Sequence, residues 1–166
     1  MDQLWAPWRH AYVTQPAKPQ PTASTESCFI CRGLSSSDDR TNLIVERGLR
    51  TVTVLNRFPY NPGHLLICPV RHIGTLDGLT SEESADLQSE IVHMTRKIDQ
   101  LMNPEGYNIG LNLGSAAGAG LPGHLHWHIV PRWKGDMNFM PVIADTKVIV
   151  QSLDSLWERL RNGSSR

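Results

Sequence analysis

Every second residue from 124 to 128 is a histidine, in the run His124-Leu-His126-Trp-His128-Ile-Val130. A strand places residues i, i+2 and i+4 on one face, so these three rings are expected to share a face while Leu125, Trp127 and Ile129 pack on the other. Imidazole is nucleophilic when neutral and carries a proton near pH 7. A row of three can therefore divide labour: the central ring attacks, one neighbour fixes its tautomer, and the other handles a proton or a non-bridging oxygen. Just upstream lies Gly114-Ser115-Ala116-Ala117-Gly118-Ala119-Gly120. Its lack of bulky side chains lets backbone N–H groups approach an anion closely. A nucleophilic imidazole beside such a loop points to attack on phosphorus, with fixed dipoles stabilising the phosphoryl group in flight. Two readings from other classes stay open: the three histidines as ligands of a catalytic metal, or a nucleotide-binding regulatory module with incidental turnover.

A second constellation is Cys28-Phe-Ile-Cys31, which has the two-residue gap of a zinc knuckle. It needs two further ligands, and the alternatives are free thiols in a loop or a redox pair. The third cysteine, Cys68, lies in an apolar run and reads as core. His93 falls off the apolar stripe of its segment and reads as a surface residue, and His10 has no constellation. Arg57, Arg71 and Arg132 could each meet a phosphate, although a lone arginine is more often salt-bridged. Trp127 and Trp133 read as packing residues.

The elements that must hold these groups follow from pattern. Thr41–Glu46 and Thr51–Leu55 are β-rich runs separated by Arg47-Gly48, a hairpin. The turn Asn61-Pro62-Gly63 leads into a buried strand, His64–Cys68, closed by Pro69. Thr80 and Glu83 form a capping box, and Leu87, Ile91, Met94, Ile98 and Leu101 then mark one helical stripe that ends at Asn103-Pro104. Tyr107–Leu113 is a strand, the histidine strand runs on to Val130, and Leu153, Leu156, Trp157 and Leu160 predict a short amphipathic helix. Strands, helix, strands, helix in that order predict an α+β fold with an antiparallel sheet.

The chain has 166 residues, with 16 basic and 16 acidic side chains and a formal net charge of zero. That length fits one folded body with a substantial core, and the charge balance argues against a nucleic-acid or membrane-surface binder. No apolar stretch approaches a membrane span, and the opening residues, with Trp5, Pro7 and Trp8, do not read as a signal core. A cytoplasmic location is expected, since three cysteines suit a reducing compartment. Residues 1–27 read as an aromatic segment and proline-rich linker, 28–140 as the folded domain, and 141–166 as a helical extension.

The chain resembles the histidine triad family, whose hallmark alternates three histidines with apolar residues. The resemblance covers roughly Thr51 to Arg132 and includes Leu55-Asn56-Arg57, Asn61-Pro62-Gly63-His64, Pro69-Val70-Arg71-His72 and Asn108-Ile-Gly-Leu-Asn112. Leu4-Trp-Ala-Pro-Trp-Arg9 and Gly135-Asp-Met-Asn-Phe139 are similar to the bacterial branch related to diadenosine tetraphosphate phosphorylases and hydrolases. The resemblance implies an antiparallel sheet of about five strands, with one long and one short C-terminal helix. It implies that His126 attacks the α-phosphate of a dinucleoside polyphosphate, forming a nucleotidyl-histidine that water or phosphate resolves. His128 would contact the α-phosphate and bridging oxygens, with His124 completing the triad and His64 joining its hydrogen-bond network. Asn56 matches a ribose contact, Asn112 a polar position near the phosphates, and Gly118, Ala119, Gly120 and Leu121 a backbone-donor loop. Relatives in this branch place a Ser or Thr hydroxyl at the end of that loop, a side-chain donor that Ala119-Gly120-Leu121 lacks. Zinc-bearing members imply a structural zinc held by Cys28, Cys31, His72 and His124, with no organic cofactor. A homodimer is implied, and a phosphoramidase acting on nucleotide–amine conjugates is the nearest alternative activity.

Overall fold

In a computed structural model, residues 25–136 and 149–162 are described. The aromatic segment with Trp5, Trp8 and His10, most of the proline-rich linker, and residues 137–139 of the later motif lie outside them. Five strands form one antiparallel sheet: β1 (Ile44–Arg47), β2 (Thr51–Leu55), β3 (Leu65–Pro69), β4 (Gly106–Leu111) and β5 (Trp127–Arg132). Their order is β1-β2-β3-β5-β4, so the latest strand inserts between β3 and β4 and leaves β4 at an edge. Helix α1 (Phe29–Ser35) precedes the sheet, α2 (Ser81–Met102) connects β3 to β4, and α3 (Leu153–Asn162) follows β5. The α+β class, the five strands, the long helix and the short C-terminal helix all stand as the sequence predicts. Among the described residues, no helix is long and apolar enough to cross a membrane.

β2 and β3 are buried along their whole length, because helices cover both faces of the sheet. On one face Val45, Leu55, Leu65, Ile67 and Ile129 pack against Leu87, Ile91, Met94 and Ile98 of α2 and Leu156 and Leu160 of α3, with Trp127 alongside. On the other face Ile44, Val52, Val54, Leu66 and Cys68 meet Cys28 and Ile30 of α1. Alternate residues of each strand thus feed two separate cores, as period-2 geometry requires. Cys68 is core, as predicted.

The long helix begins where its cap says it should. Thr80 accepts from the Glu83 amide, and the Glu83 carboxylate accepts in return from the Thr80 amide at 2.9 Å. Glu83 also receives a bidentate pair from Arg71 at 2.9 and 2.7 Å, which ties the loop after β3 to the helix start. These donors, Arg71 first, hold its carboxyl at about 2, well below the usual range. At the far end Asn103 takes the left-handed conformation, with φ of 48°.

Two differences from the sequence expectation matter. First, α1 is a seven-residue helix that the spacing of its cysteines did not announce; isolated helices of this length are unstable in water, so tertiary contacts hold it. Second, β5 begins at Trp127 rather than near His124, and it runs through Pro131 to Arg132. Its ladder with β3 spans only Ile67↔Trp127 to Leu65↔Ile129, so His124 to His126 lie upstream of any paired strand. Pro131 is tolerated because β3 has already ended at that level. There the Gly63 turn, with φ of +81°, packs so closely that a Cβ would sit 3.0 Å from the Pro131 ring.

Replacing Ile98, fully buried in the α2 core, by Ala is expected to lower unfolding free energy by about 2–5 kcal/mol. Replacing the exposed Gln88 by Ala should change it by no more than about 0.5 kcal/mol; chemical denaturation of the two variants compares them directly.

Candidate active site

The site lies on the α1 face of the sheet, at the end where β2 passes into β3. His64 immediately precedes β3 and its carbonyl accepts from the Asn56 amide at 2.9 Å, extending the β2–β3 ladder by one step. His128 sits on β5 opposite Leu66, which puts its side chain on the same face. His124 and His126 lie on the irregular segment that leads into β5. That segment is pinned because Leu125 donates its amide to the Ile73 carbonyl at 2.7 Å. Gly74 makes the approach possible, since a Cβ there would stand 2.8 Å from the Pro122 carbonyl oxygen.

The hydrogen bonds decide which nitrogen of each ring carries the proton. A carbonyl only accepts and an amide N–H only donates. His124 Nε2 lies 2.8 Å from the Pro69 carbonyl, so Nε2 donates and Nδ1 keeps its lone pair. His126 Nδ1 lies 2.8 Å from the His124 carbonyl, so Nδ1 donates and Nε2 keeps its lone pair. At His64 the Tyr60 amide donates to Nδ1 at 3.0 Å, which leaves Nε2 as the donor to His128 Nδ1 at 2.9 Å. His128 is thereby left with its proton on Nε2. That atom is buried and has no partner among the described residues, and an orphaned buried polar group costs about 1–3 kcal/mol unless something answers it. The rings of His126 and His128 stand edge to face, 5.2 Å apart. A free lone pair and a free N–H therefore sit on adjacent rings, an acceptor beside a donor. Burial, and then the neighbouring His126, pushes the His128 pKa down, favouring this neutral form.

Around this pair, Asn56 Nδ2 lies 3.3 Å from both His64 ring nitrogens, and Tyr60 stacks against His128 with centroids 5.9 Å apart. A cleft of about 360 Å³ opens beside Asn56, walled by Phe29, Arg32, Leu43, Arg57, Phe58 and Leu66 among others. Asn112 is half-buried just beyond β4. The small-residue loop forms a single 3-10 turn at Ser115–Ala117. Its Gly118 amide bonds the Ser115 carbonyl and its Ala119 amide the Gly114 carbonyl; the amides of Gly120 and Leu121 have no protein partner among the described residues.

Cys28, Cys31, His72 and His124 form the second cluster, with one ligand atom from each within 4.8 Å of the others. Cys28 Sγ is 3.3 Å and Cys31 Sγ 3.6 Å from His124 Nδ1, and Cys31 Sγ is 3.2 Å from His72 Nδ1. A tetrahedral zinc with its usual sulfur and nitrogen bond lengths separates such ligand atoms by about 3.5 Å. The His124 tautomer also presents an unprotonated Nδ1 to the cluster. The donor set fits a structural zinc, and it uses only one histidine of the three.

The other residues that the sequence brought forward have structural partners. Arg71 pairs with Glu83, Arg132 with Asp136 at 2.6 Å, and His93 with Glu46 at 3.3 Å. Arg57 donates to the Thr41 carbonyl, and Trp133 Nε1 to that of Asn103. Sequence reasoning missed the Tyr60 amide, which leaves no residue-type signature, and the cleft wall on α1, for which Phe29 between the two cysteines was the one visible hint.

A five-stranded antiparallel sheet with a histidine row entering its fourth position, preceded in the chain by a small-residue loop, is the arrangement on which the comparisons bear. The chain belongs to the HIT family: the HIT domain model matches residues 37–135. It is 42% identical over 154 residues to the AP-4-A phosphorylase of Mycobacterium tuberculosis, covering 92% of this chain and 79% of that one. It is 36% identical over 84 residues to a fission-yeast bis(5'-nucleosyl)-tetraphosphatase, covering 51% of this chain and 46% of that one. In fold it is similar to a Zn-bound histidine triad protein from Mycobacterium smegmatis, with a TM-score of 0.66 and 22% identity over 84% of this chain and 94% of that one.

Two measurements check the geometry. Long-range proton–nitrogen spectra at neutral pH should show His126 protonated on Nδ1 and His64, His124 and His128 on Nε2; the opposite tautomer at His126 would refute the bonding described. In the metal-free protein His124 is held at about 4, chiefly by burial, against an ordinary 6.5, and His128 is depressed in the same direction. The unfolded chain therefore binds more protons in that window. Unfolding free energy should fall as pH drops from about 6.5 toward 4, and a flat profile there would contradict the assignment.

Proposed function

We propose that this chain is a nucleotidyl hydrolase or transferase that cleaves dinucleoside polyphosphates at the α-phosphate, with His126 as nucleophile. The observation that carries it is the pairing of a free His126 Nε2 lone pair with a buried, unanswered His128 Nε2–H. The names of the relatives support the substrate class. His126 Nε2 attacks the α-phosphorus and the bond to the outgoing oligophosphate breaks. His128 would offer its Nε2–H to the leaving or bridging oxygen, and His64 and the Tyr60 amide hold that tautomer. Water or inorganic phosphate then displaces His126 from phosphorus and restores the ring. Asn56 contacts the ribose, and the cleft beside it takes the nucleoside. Asn112 and the loop from Gly118 through Ala119 and Gly120 to Leu121 face the phosphates, with the Gly120 and Leu121 amides as the available donors.

Structural zinc belongs to the same reading. Cys28, Cys31, His72 and His124 would hold it, and it would supply rigidity and a fixed His124 tautomer rather than reactivity. A homodimer is supported by β4, which is an edge strand with Ile109 45% exposed; unpaired edges invite pairing with another chain. The zero net charge and reducing-compartment cysteine use support a cytoplasmic enzyme whose partners are nucleotides rather than nucleic acid or membrane.

Incubation with diadenosine tetraphosphate, with and without phosphate, tests the function. AMP plus ATP marks hydrolysis, and ADP plus ATP, formed only with phosphate, marks phosphorolysis. His126→Ala should lower turnover by about 10⁴-fold or more and abolish any labelled nucleotide adduct. Turnover retained by that variant would end the mechanism.

A further inference from the structure

The two clusters share more than His124. Helix α1 has Cys28 as its N-cap and Cys31 in its first turn. The residue after each cysteine, Phe29 and Arg32, lines the cleft beside Asn56. Cys28 is fully buried, whereas Phe29 is 40% exposed, so the helix start turns thiols toward the histidines and an aromatic ring toward the cleft. The far end of α1 is held independently, since the Arg47 guanidinium donates to the carbonyls of Gly33, Leu34 and Ser36 at 2.8–3.0 Å. At the near end the tethers among the described residues include the cysteine side chains, the Ile30 side chain in the second core, and a 3.3 Å bond from the Cys28 amide to Thr25. A seven-residue helix has little stability of its own, so what the cysteines bind adds directly to the hold on the near end.

We infer that metal binding at Cys28, Cys31, His72 and His124 is energetically linked to nucleoside binding in the cleft, with Phe29 and Arg32 as the positioning residues that carry the link. This rests on the reading of the cleft as the nucleoside site. A cation joining two thiolates on α1 to His72 and His124 fixes the helix start against the segment that leads into β5. It thereby fixes the direction in which Phe29 and Arg32 project. Phe29 offers a ring face to a base, and the Arg32 guanidinium offers only donors. Linkage is reciprocal: if the metal tightens the nucleotide, the nucleotide tightens the metal by the same factor.

The reciprocity gives a readout that needs no turnover. Metal-free protein prepared by chelation is titrated with zinc against a chromophoric chelator, with and without saturating AMP. AMP affinity is measured by calorimetry before and after zinc loading. Tightening of zinc by about 5-fold or more in the presence of AMP is expected, with the same factor appearing in the AMP titration. AMP that merely chelates free zinc would shift the apparent affinity the other way. A Phe29→Ala, Arg32→Ala double variant, altered only at exposed positions, should bind zinc as tightly as wild type and lose the shift. Identical zinc affinity with and without AMP, or no stoichiometric zinc binding, would overturn the inference. If zinc-loaded wild type fails to bind AMP, the nucleoside reading of the cleft fails first, and the linkage with it.

Discussion

The hydrogen bond from His126 Nδ1 to the carbonyl two residues earlier in its own segment is the interaction on which the proposed attack by His126 depends. Neutral imidazole can place its single proton on either nitrogen, and only one placement leaves a nucleophilic lone pair on the outer atom. A carbonyl settles this without a carboxylate, and so without adding charge near an anionic substrate. The same device recurs: Pro69 fixes His124 through its carbonyl, and Tyr60 fixes His64 and hence His128 through its amide. These three backbone groups lie at the ends of β3 and in the two segments beside it. The site is thus oriented by main chain, and main chain is oriented by register.

Register is set by the core. β3 is covered on both faces, with Leu65 and Ile67 packed against α2 and Leu66 and Cys68 against the α1 side. A slip of one residue would exchange the two sets and carry His128, opposite Leu66, from the α1 side of β5 to the α2 side. The hydrophobic energy of two separate cores therefore guards a few hydrogen bonds that contribute little stability themselves. The same packing desolvates His128 and keeps it neutral. A second proton on His128 would oppose two N–H groups along the line from His64 and break it, so burial and bonding favour one state.

How far the sequence disclosed this depends on the range of each interaction. The α2 boundaries were legible because each cap is local: Thr80 and Glu83 bond each other three residues apart, and Asn103 bonds back to Asp99 at the far end. The hairpin and the apolar face of β5 were legible because alternation is local. The start of β5 was not, since a strand exists only where a partner runs beside it and β3 stops pairing at Trp127. α1 was hidden for a related reason: its short sequence contains Gly33, a poor helix former, and it is held by Arg47 and the second core. For the site, histidine spacing and the small-residue loop pointed to phosphorus, while Cys28 and Cys31 alone left their remaining ligands open. His72 and His124 came from family resemblance, as did Asn56 and His64. The Tyr60 amide could not be read at all, because every residue except proline has one.

The loop before the triad shows how a low-complexity stretch acquires a defined shape. Gly114 and Gly118 take φ of +77° and +87°, where a side chain on Cβ would be strained. Between them the chain closes a 3-10 turn that directs the amides of Gly118 and Ala119 inward. Ala119 is buried, whereas Gly118 and Gly120 border open space. The inward bonds use two amides to set the orientation of the next two. With no hydroxyl at Ala119-Gly120-Leu121, charge developing on a phosphate oxygen there would be met by the Gly120 and Leu121 amides. The neighbouring N–H of His128 would answer the leaving oxygen. Fixed dipoles stabilise such charge best when they need not reorganise, and a loop closed on its own carbonyls meets that requirement with residues too small to block the approach.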